Sequence, residues 1–328
     1  MFGGSIIEKL KKADLRGRGG AGFPVWQKWQ MVKEAKADYK YIVANGSEGE
    51  PKVAKDKFII ENHPEDLING LKIALEFLGK SEAYIYLNHD YFHSYSQHLH
   101  RYIGNLPIKQ FRKEGYYIGG EETAMLNTIE GKFQEPRLKP PYPTTCGLFG
   151  QPTLINNIET FYCVSKIAKG EYKNTRFATI SGDIPNPGVY EVELNMPIKQ
   201  ILSQTGNWLD EDFFIQCGGG ASGAIYLKEE LVNKLVEGAG AIVVFNKQKT
   251  DPIFLMQEWA QFFTNENCDK CTPCREVAHR ILEMVLNNKI DYPELYKMLD
   301  TLEKASFCPL GKGIPLPFRG LLRKVMKK

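Results

Sequence analysis

Apolar positions along this chain follow two spacings, one typical of helices and one typical of buried strands. Helical spacing appears at residues 5–15 and again at 64–79. Unbroken apolar runs at 39–44 and 83–87 indicate buried strands. Because helices and strands alternate here, an α/β first domain is predicted.

The pattern changes twice after residue 130. A proline-rich stretch, 131–153, predicts an ordered loop, and a helix from about 155 to 169 closes the first domain. A second unit from about 175 to 248 carries short strand signals and suits a small mixed α/β or β-grasp module. From about 252 onward the apolar spacing is helical again. The strand signals of the second unit fall at 177–181, 188–193 and 241–245.

Composition places the chain among ordinary globular proteins. Its 328 residues are enough for two or three domains, with 43% apolar and 25% charged residues. A net charge of +3 is too small to argue for nucleic acid. No apolar run approaches a membrane span, and the N-terminal residues lack the apolar region of a signal peptide, so neither is expected.

Four cysteines near the C-terminus carry the strongest chemical signal. Cys268, Cys271 and Cys274 form a C-x2-C-x2-C run, and Cys308 precedes a proline. This spacing favours an iron–sulfur cluster with four thiolate ligands. A zinc site, which prefers two separated pairs, and buried or disulfide-bonded cysteines remain alternatives. The isolated Cys146, Cys163 and Cys217 are interpreted as small buried residues.

Two stretches match G-x-G-x-x-G. The first, at 17–22, follows a charged helix rather than a strand, so a Rossmann fingerprint is rejected there. Its glycines still permit a close approach to a flat ligand or a phosphate, with a tight turn as the alternative. The second, at 218–223, follows a strand signal and precedes an expected helix containing Glu237. A turn is the favoured interpretation, and a nucleotide contact is the alternative.

Two acidic loops, 45–51 and 117–123, place carboxylates beside glycines. Such carboxylates suit hydrogen bonds to a ribose or an amide of a ligand, although solvated turns would look the same. Asn156 and Asn157 stand at an expected helix start. They serve there either as a plain cap or as amide donors to a flavin or its phosphate.

Taken together, these stretches resemble the NADH-binding flavoprotein subunit of respiratory complex I, a family that includes the diaphorase subunits of NAD-linked hydrogenases and formate dehydrogenases. The resemblance covers residues 10–325, in the order and spacing of that family. The matching segments are LRGRGGAGFP with Lys28-Trp29, NGSEGEP, YYIGGEETAMLNTIEGK, PRLKPPYPTTCGLFGQPTLINNIET, CDKCTPCRE and CPLG.

The resemblance implies an α/β, multi-domain fold in three parts. Residues 1–170 would bind FMN and NADH, 171–249 would form a β-grasp module of the soluble-ligand-binding type, and 250–328 would form a helical [4Fe-4S] domain. The implied cluster ligands are Cys268, Cys271, Cys274 and Cys308. The implied FMN contacts are Gly17, Gly19, Lys28, Asn45, Glu48, Tyr117, Gly120, Glu121, Asn156 and Asn157. The implied NADH contacts are Phe23, Glu50, Glu122, Lys139 and Tyr142.

Within that set, the resemblance implies that Phe23 and Tyr142 stack on adenine. Glu122 would repel a 2′-phosphate and so favour NADH over NADPH. FMN would convert a hydride into two single-electron steps toward the cluster. No side chain is implied to act as a catalytic acid or base.

The implied function is that of an NADH:acceptor oxidoreductase (diaphorase) subunit. The alternative is an FMN/[4Fe-4S] electron-transfer subunit of a hydrogenase, formate dehydrogenase or bifurcating complex that does not itself oxidise NADH. Expected partners are a thioredoxin-like [2Fe-2S] subunit and a larger iron–sulfur subunit, with no nucleic acid and no direct membrane insertion. A cytoplasmic location follows, with peripheral attachment to the membrane through partners as a further option.

Three positions depart from the family pattern. Ser47 replaces a usual aspartate, and Met31 replaces an aromatic residue near the adenine. The cluster loop reads Asn267-Cys268-Asp269 where Ser-Cys-Gly is usual. A carboxylate at 269 would lower the cluster potential if it points inward. Loss of the ring at 31 would weaken stacking by about 1 kcal/mol.

Overall fold

A computed structural model describes residues 5–328, which form two compact units. The first unit contains the chain up to Gly49, Ala54–Gly115 and Gly119–Phe177; the second contains Glu50–Val53, Tyr116–Ile118 and Ala178–Lys328. In the first unit the elements are α1 (Ile6–Lys12), α2 (Val25–Glu34), β1 (Lys40–Gly46), α3 (Lys55–Asn62), α4 (Pro64–Leu78), β2 (Ser81–Leu87), α5 (His89–Ile103), β3 (Ile108–Arg112), α6 (Glu122–Ile129), β4 (Thr153–Asn157) and α7 (Ile158–Lys169).

The remaining elements belong mainly to the second unit, whose boundary falls inside its first strand. They are β5 (Thr175–Gly182), β6 (Gly188–Glu193), α8 (Ile198–Gln204), β7 (Phe213–Cys217), β8 (Ala224–Leu227), β9 (Ala241–Asn246), α9 (Pro252–Glu266), α10 (Thr272–Leu286), α11 (Tyr292–Ala305), α12 (Pro309–Gly313) and α13 (Pro315–Gly320). Short 3-10 turns occupy Tyr117–Gly120, Leu148–Gly150 and Lys228–Val232, and a π-helical turn occupies Leu321–Met326.

The first sheet is parallel throughout, with strand order β3-β2-β1-β4. The chain moves outward from β1 through β2 to β3 and then returns to add β4 on the other side of β1. The order therefore reverses between β1 and β4. In open parallel sheets, ligands bind in the crevice at the carboxyl ends of the strands where this reversal occurs.

Both faces of this sheet are covered, which explains why its strands read as continuous apolar runs. One face carries Val43, Tyr84, Tyr86 and Ile155, which form a core cluster with residues of α6. On α4, Gly70 permits a close approach to α7, because a Cβ there would lie 2.0 Å from the carbonyl oxygen of Phe161.

The second sheet has strand order β6-β5-β9-β7-β8, with β5 and β9 parallel at its centre. The helix α8 follows the first hairpin, and β7 pairs antiparallel with both β8 and β9. A central parallel pair flanked by hairpins, with one crossing helix, is the β-grasp arrangement predicted from the sequence.

Alternate residues of β9 enter two different cores of the second unit. Ile242 and Val244 pack with α8, whereas Val243 pairs with Phe245 on the face that meets the C-terminal helices. Trp259 of α9 and Phe318 of α13 anchor that second core, with ring centroids 5.6 Å apart. The sheet and the helices thus share one core within one compact unit. The division at residues 171 and 250 stays a prediction.

Three local predictions are wrong. Residues 155–157 belong to β4, and the helix begins only at Ile158. The glycine stretch 218–223 joins β7 to β8, so a strand follows it rather than a helix, and Glu237 lies outside any helix. Cys146 is exposed, whereas Cys163 and Cys217 are buried as expected.

Among residues 5–328, no helix is both long enough and apolar enough to cross a membrane.

Candidate functional site

The carboxyl ends of β1 and β4 gather several of the predicted flavin contacts. Asn45 is near the end of β1, and its Nδ2 donates to the carbonyl of Gly120 at 2.9 Å. Asn157 ends β4, donates to the Asn45 carbonyl at 3.0 Å and caps α7 by accepting from the Glu159 N–H. These residues lie where the strand order reverses, the place that the topology favours for a ligand.

The first glycine loop closes over the same edge. The Gly17 N–H donates to the Phe23 carbonyl at 3.0 Å, which makes the loop a tight hairpin. A Cβ at Gly19 would sit 3.4 Å from the Cβ of Asn157, and a Cβ at Gly120 would sit 3.0 Å from the Ser47 hydroxyl. Side chains at these positions would occupy space beside the asparagines. The backbone there forms a cradle suited to a flat ring system.

Asn156 points away from this cradle. Its Oδ1 accepts from the indole nitrogen of the buried Trp29 at 3.1 Å, and the residue is 6% exposed. The contact ties α2 to β4 and fixes the glycine loop that precedes α2. The structure therefore gives Asn156 an observed positioning contact, whereas its predicted flavin contact remains a prediction.

Two lysines and two glutamates form a charged group near the start of α6. Lys139 Nζ lies 2.9 Å from Glu121 and 2.6 Å from Glu122, and Lys28 Nζ lies 3.9 Å from Glu122. Glu121 also caps α6 through the N–H groups of Thr123 and Ala124. Burial would raise the pKa of Glu121, but these hydrogen bonds outweigh it and lower the pKa. Four predicted contacts thus converge.

Two aromatic rings near this group remain accessible. Phe23 is 43% exposed and Tyr142 is 55% exposed. The Lys28 ammonium lies 5.9 Å from the centroid of the Phe23 ring. Burial is the main cause that lowers the pKa of Lys28, and Lys139 lowers it further. Exposed rings of this kind can stack on a planar base.

A buried charged cluster contacts the cradle residue Asn157. It was not predicted from the sequence. Lys55 Nζ contacts Asp56 at 2.7 Å, the Asn157 amide oxygen at 2.9 Å and Glu159 at 3.2 Å. Asp56 in turn accepts from Asn157 Nδ2 at 2.7 Å. Lys55 and Asp56 open α3, so in sequence they look like an ordinary solvated first turn. Asn157 and Glu159 are about a hundred positions away, and no local signal marks the cluster.

Glu48 belongs to the same network. Its carboxylate accepts from the Asp56 N–H at 3.0 Å and from the Tyr91 hydroxyl at 2.7 Å. Burial, with the Asp56 charge as a second cause, raises the pKa of Glu48 to about 7. Burial also raises the pKa of Asp56. Glu48 was expected to contact flavin; here its side chain is engaged by α3 and α5.

Glu50 and Tyr117, the other two predicted contacts, belong to the second unit. The Glu50 carboxylate accepts from the N–H groups of Ala221 and Ser222 at 2.9 and 2.7 Å, and from the Ser222 hydroxyl at 2.9 Å. A Cβ at Gly219 would lie 2.1 Å from this carboxylate. The second glycine loop therefore cradles a carboxylate of its own chain, which accounts for its glycines without a nucleotide.

Tyr117 is half-buried and lies close to that carboxylate. Its ring centroid lies 5.2 Å from that of Phe262, and its backbone N–H donates to Glu266 at 2.6 Å. Burial, reinforced by Glu50, raises the pKa of its hydroxyl well above the ordinary value. Both residues have defined structural partners within the second unit.

The cysteines of the cluster motif gather at the starts of two helices. Cys271 is the N-cap of α10, Cys274 lies in its first turn, and Cys308 is the N-cap of α12. Helix N-termini favour thiolates because of the exposed N–H groups and the helix dipole. A Cβ at Gly311 would lie 3.4 Å from the Cβ of Cys274, so α12 packs directly against the first turn of α10.

The thiols also influence one another electrostatically. Burial, followed by the charges of Cys271, Cys308 and Cys268, raises the pKa of Cys274 to about 12. Among residues 5–328, no group of three or more potential ligands is arranged around a single ion. Four thiols that interact electrostatically with one another are the kind of donor set that a [4Fe-4S] cluster uses.

The loop between these cysteines explains one departure from the family pattern. Asp269 adopts φ = 54°, a left-handed conformation that favours glycine. The Asn267 side chain stabilises it by accepting from the Asp269 N–H at 2.7 Å, while its amide donates to the end of α9. Arg275 donates to the Asp269 carbonyl at 3.0 Å. Asn267 thus supports a loop shape that glycine would adopt unaided.

Two family models match separate parts of the chain. The family model described as the Nuo51 FMN-binding domain matches residues 10–166. The model for the NADH-ubiquinone oxidoreductase-F iron-sulfur binding region matches residues 255–328, which include all four cluster cysteines. The chain belongs to the family of FMN- and iron–sulfur-binding subunits of NADH oxidoreductases.

Individual relatives support this membership. An NADH-quinone oxidoreductase subunit of Rhizobium meliloti (strain 1021) is 32% identical, over 97% of this chain and 86% of that protein. The alpha subunit of the NAD-reducing hydrogenase HoxS of Cupriavidus necator is also 32% identical, over 97% of this chain but only 59% of that protein.

A solved structure matches the fold. A chain from the crystal structure of an NAD+-reducing [NiFe]-hydrogenase in the H2-reduced state superposes with a TM-score of 0.89 at 28% identity. The match covers 97% of this chain and 61% of that one, so this chain spans about three fifths of the hydrogenase subunit. Mixed α/β architecture with a helical C-terminal part is confirmed, as is the resemblance drawn from the sequence.

Proposed function

We propose that this chain exchanges hydride between NAD(H) and bound FMN and passes the electrons singly to a [4Fe-4S] cluster for delivery to partner subunits. The observation that carries this is the convergence of Gly19, Asn45, Gly120 and Asn157 at the strand-order reversal. Family membership adds the cofactors. FMN supplies the chemistry, since it accepts hydride and releases electrons one at a time.

The proposed FMN contacts are the ten positions that match the family motifs. The lack of Cβ atoms at Gly19 and Gly120 supports this proposal, because side chains there would crowd Asn157 and Ser47. The α7 N-terminus offers backbone N–H groups to a flavin, while the Asn157 amide, which donates to Asn45 and Asp56, holds the cradle in shape. The proposed contacts are Gly17, Gly19, Lys28, Asn45, Glu48, Tyr117, Gly120, Glu121, Asn156 and Asn157.

The proposed nicotinamide nucleotide contacts are Phe23, Glu50, Glu122, Lys139 and Tyr142. Phe23 and Tyr142 present exposed rings that suit adenine stacking. Glu122 lies between Lys139 and Lys28, which holds its carboxylate in place. A fixed carboxylate accepts hydrogen bonds from ribose hydroxyls and repels a phosphate at the same position.

The proposed cluster ligands are Cys268, Cys271, Cys274 and Cys308. Three of them lie at helix N-termini, which favour thiolates and so oppose the rise in pKa that burial and the neighbouring thiols cause at Cys274. Relatives are subunits of multi-subunit redox complexes. A thioredoxin-like [2Fe-2S] protein and a larger iron–sulfur subunit are the proposed electron acceptors, in the cytoplasm or at its membrane face.

One observation favours the alternative, an electron-transfer subunit that does not oxidise NADH. Met31 is 45% exposed where relatives of this kind often place an aromatic ring. The loss of that stacking partner would cost about 1 kcal/mol of dinucleotide binding. This loss is too small by itself to abolish binding at millimolar NADH.

An assay of NADH-dependent ferricyanide reduction distinguishes the two functions. It uses the chain reconstituted with FMN and the [4Fe-4S] cluster. We expect turnover that requires FMN and saturates with NADH. Glu65→Gln, an exposed carboxylate on α4, serves as the matched control and should behave as wild type. Bound FMN without NADH turnover would overturn the proposal in favour of the alternative.

A further inference from the structure

The buried cluster behind the flavin cradle contains more acidic than basic groups. Three carboxylates, Glu48, Asp56 and Glu159, face two cations, Lys55 and Arg18. Lys55 is 2% exposed, Asp56 3% and Glu159 0%. An uncompensated charge in such a place is expensive, so one proton on a carboxyl group would make the cluster neutral.

Among residues 5–328, the other titratable groups seen in contact with the cluster do not supply the missing positive charge. From α5, Tyr91 donates its hydroxyl to Glu48, and burial together with the Glu48 charge raises the pKa of this tyrosine, which stays protonated. From α3, the Lys57 ammonium turns outward to the exposed Glu61 at 3.9 Å. From α7, Cys163 is buried, and burial raises the pKa of its thiol to about 12, so it adds no charge.

The charged groups around each carboxyl group determine which of the three carries the proton. Glu159 lies against Lys55 and within electrostatic range of Arg18, and it also accepts from the Phe177 N–H at 2.9 Å. Glu48 and Asp56 are linked by the Asp56 N–H, 3.0 Å from the Glu48 carboxylate. Burial and mutual repulsion raise the pKa of Glu48 to about 7. Neighbouring carboxyls of this kind titrate as a pair.

We propose that Glu48 and Asp56 share a single proton near neutral pH and that this carboxyl pair balances negative charge added at the flavin cradle. The pair reaches the cradle through Asn157, which donates to Asp56 and also to the Asn45 carbonyl. Negative charge added beside Asn157 draws a further proton from solvent onto the pair, and its removal releases that proton. No electron is transferred to or from the pair.

This inference rests on the proposed function for its second half only. The shared proton belongs to the chain itself and exists without flavin or NADH. The charge-balancing role needs FMN at the cradle. The two halves can therefore fail separately, and neither depends on NADH turnover.

The first test is infrared spectroscopy of the flavin-free chain across pH 5–9. We expect a carboxylic acid carbonyl band that titrates with a midpoint near 7 and reflects one carboxyl group. Glu48→Gln and Asp56→Asn should each shift that midpoint to lower pH or remove the band. In each variant the remaining carboxyl group no longer has a second carboxylate beside it that repels its negative charge. The exposed Glu61→Gln, on the same helix as Asp56, should leave it unchanged.

Absence of the band in wild type, or its survival with an unchanged midpoint in both variants, would overturn the shared proton. If one of the two isosteric variants does not fold, the other variant and the wild-type measurement still decide whether the proton is shared.

The second test follows the midpoint potential of bound FMN against pH by spectroelectrochemistry. We expect the potential to fall more steeply with pH in wild type than in Glu48→Gln, since the pair takes up protons as charge is added. Equal slopes, with the infrared band present, would overturn the charge-balancing role. Bound FMN that behaves as expected here but is not reduced by NADH would instead contradict the proposed function.

Discussion

At the scale of single residues, charged side chains on the nucleotide side of the first unit are held in pairs. Lys139 bridges Glu121 and Glu122, and Lys28 approaches Glu122 from the other side. Such pairs fix the position of each carboxylate more than they stabilise the fold, because partly exposed ion pairs contribute little. We therefore expect these pairs to act in the selection of the nucleotide.

Glu122→Gln should therefore relax the preference for NADH over NADPH. The variant removes the repelling charge and leaves Lys139 and Lys28 without their common partner, so both can attract a 2′-phosphate. We expect the ratio of kcat/KM for NADH to that for NADPH to fall about tenfold, which corresponds to about 1.4 kcal/mol. The ratio is measured by ferricyanide reduction with each nucleotide. An unchanged ratio would remove Glu122 from nucleotide selection.

Asp66 makes a pH-dependent contribution to stability. Burial would raise its pKa, but hydrogen bonds from Lys169, Ser165 and Lys166 outweigh it and lower the pKa to about 2. Since the folded pKa is below the unfolded one, this stabilisation is complete above about pH 4 and is lost as pH falls toward 2. After discounting for partial solvent exposure it is on the order of 1 kcal/mol.

Asp66→Asn tests this linkage by urea unfolding at pH 7 and pH 3. We expect the variant to be less stable than wild type at pH 7 and the difference to shrink at pH 3. A difference that stays constant with pH would show that the contribution is not electrostatic.

At the residue level the sequence reveals only patterns that are local. The cysteine spacing and the glycine loops are short patterns of this kind, and their cofactor contacts stay predictions. The Lys55 cluster was not predictable, because Lys55 and Asn157 are 102 positions apart. Nor was the partner of Glu50, since the second glycine loop that holds it is 171 positions away.

At the scale of elements, the strand order and the helix N-termini determine where the proposed cofactor-binding residues lie. The reversal between β1 and β4 positions the proposed flavin contacts, and Cys271, Cys274 and Cys308, three of the proposed cluster ligands, lie at the N-termini of α10 and α12. Helix and strand types were predicted well where the apolar period was long. β4 was mistaken for the start of a helix because its five residues run directly into α7 without a turn signal.

The turn after β7 was misjudged for a related reason. β8 has only four residues, and the charged stretch that follows has helical spacing but forms only a 3-10 turn at Lys228–Val232. A strand this short gives too few alternating positions to be recognised. The pairing with β7, which the sequence does not reveal, stabilises it.

Cys271→Ser tests the cluster element. We expect the reconstituted variant to lose the broad visible absorbance of the cluster and to retain FMN, because these ligands and the flavin cradle belong to different compact units. Cys146→Ser, at an exposed cysteine outside the motif, is the matched control and should keep both cofactors. Retention of a four-iron signal in Cys271→Ser would contradict the ligand assignment.

At the scale of the whole molecule, the cofactor assignments divide between two units. The first unit carries the parallel sheet and most proposed flavin and nucleotide contacts, and the second carries the β-grasp sheet and the cluster helices. The sequence predicted these parts through the family resemblance. It did not predict that the second sheet and the C-terminal helices share a core. That depends on what packs against each face of β9, and all six residues of this strand are buried alike.

The most direct measurement of the central claim is anaerobic addition of one equivalent of NADH to the chain loaded with FMN and the cluster. We expect bleaching of the flavin absorbance together with the electron paramagnetic resonance signal of a reduced [4Fe-4S] cluster, and loss of only the latter in Cys271→Ser. Bound flavin that dithionite reduces but NADH does not would contradict hydride transfer from NADH to FMN in this chain.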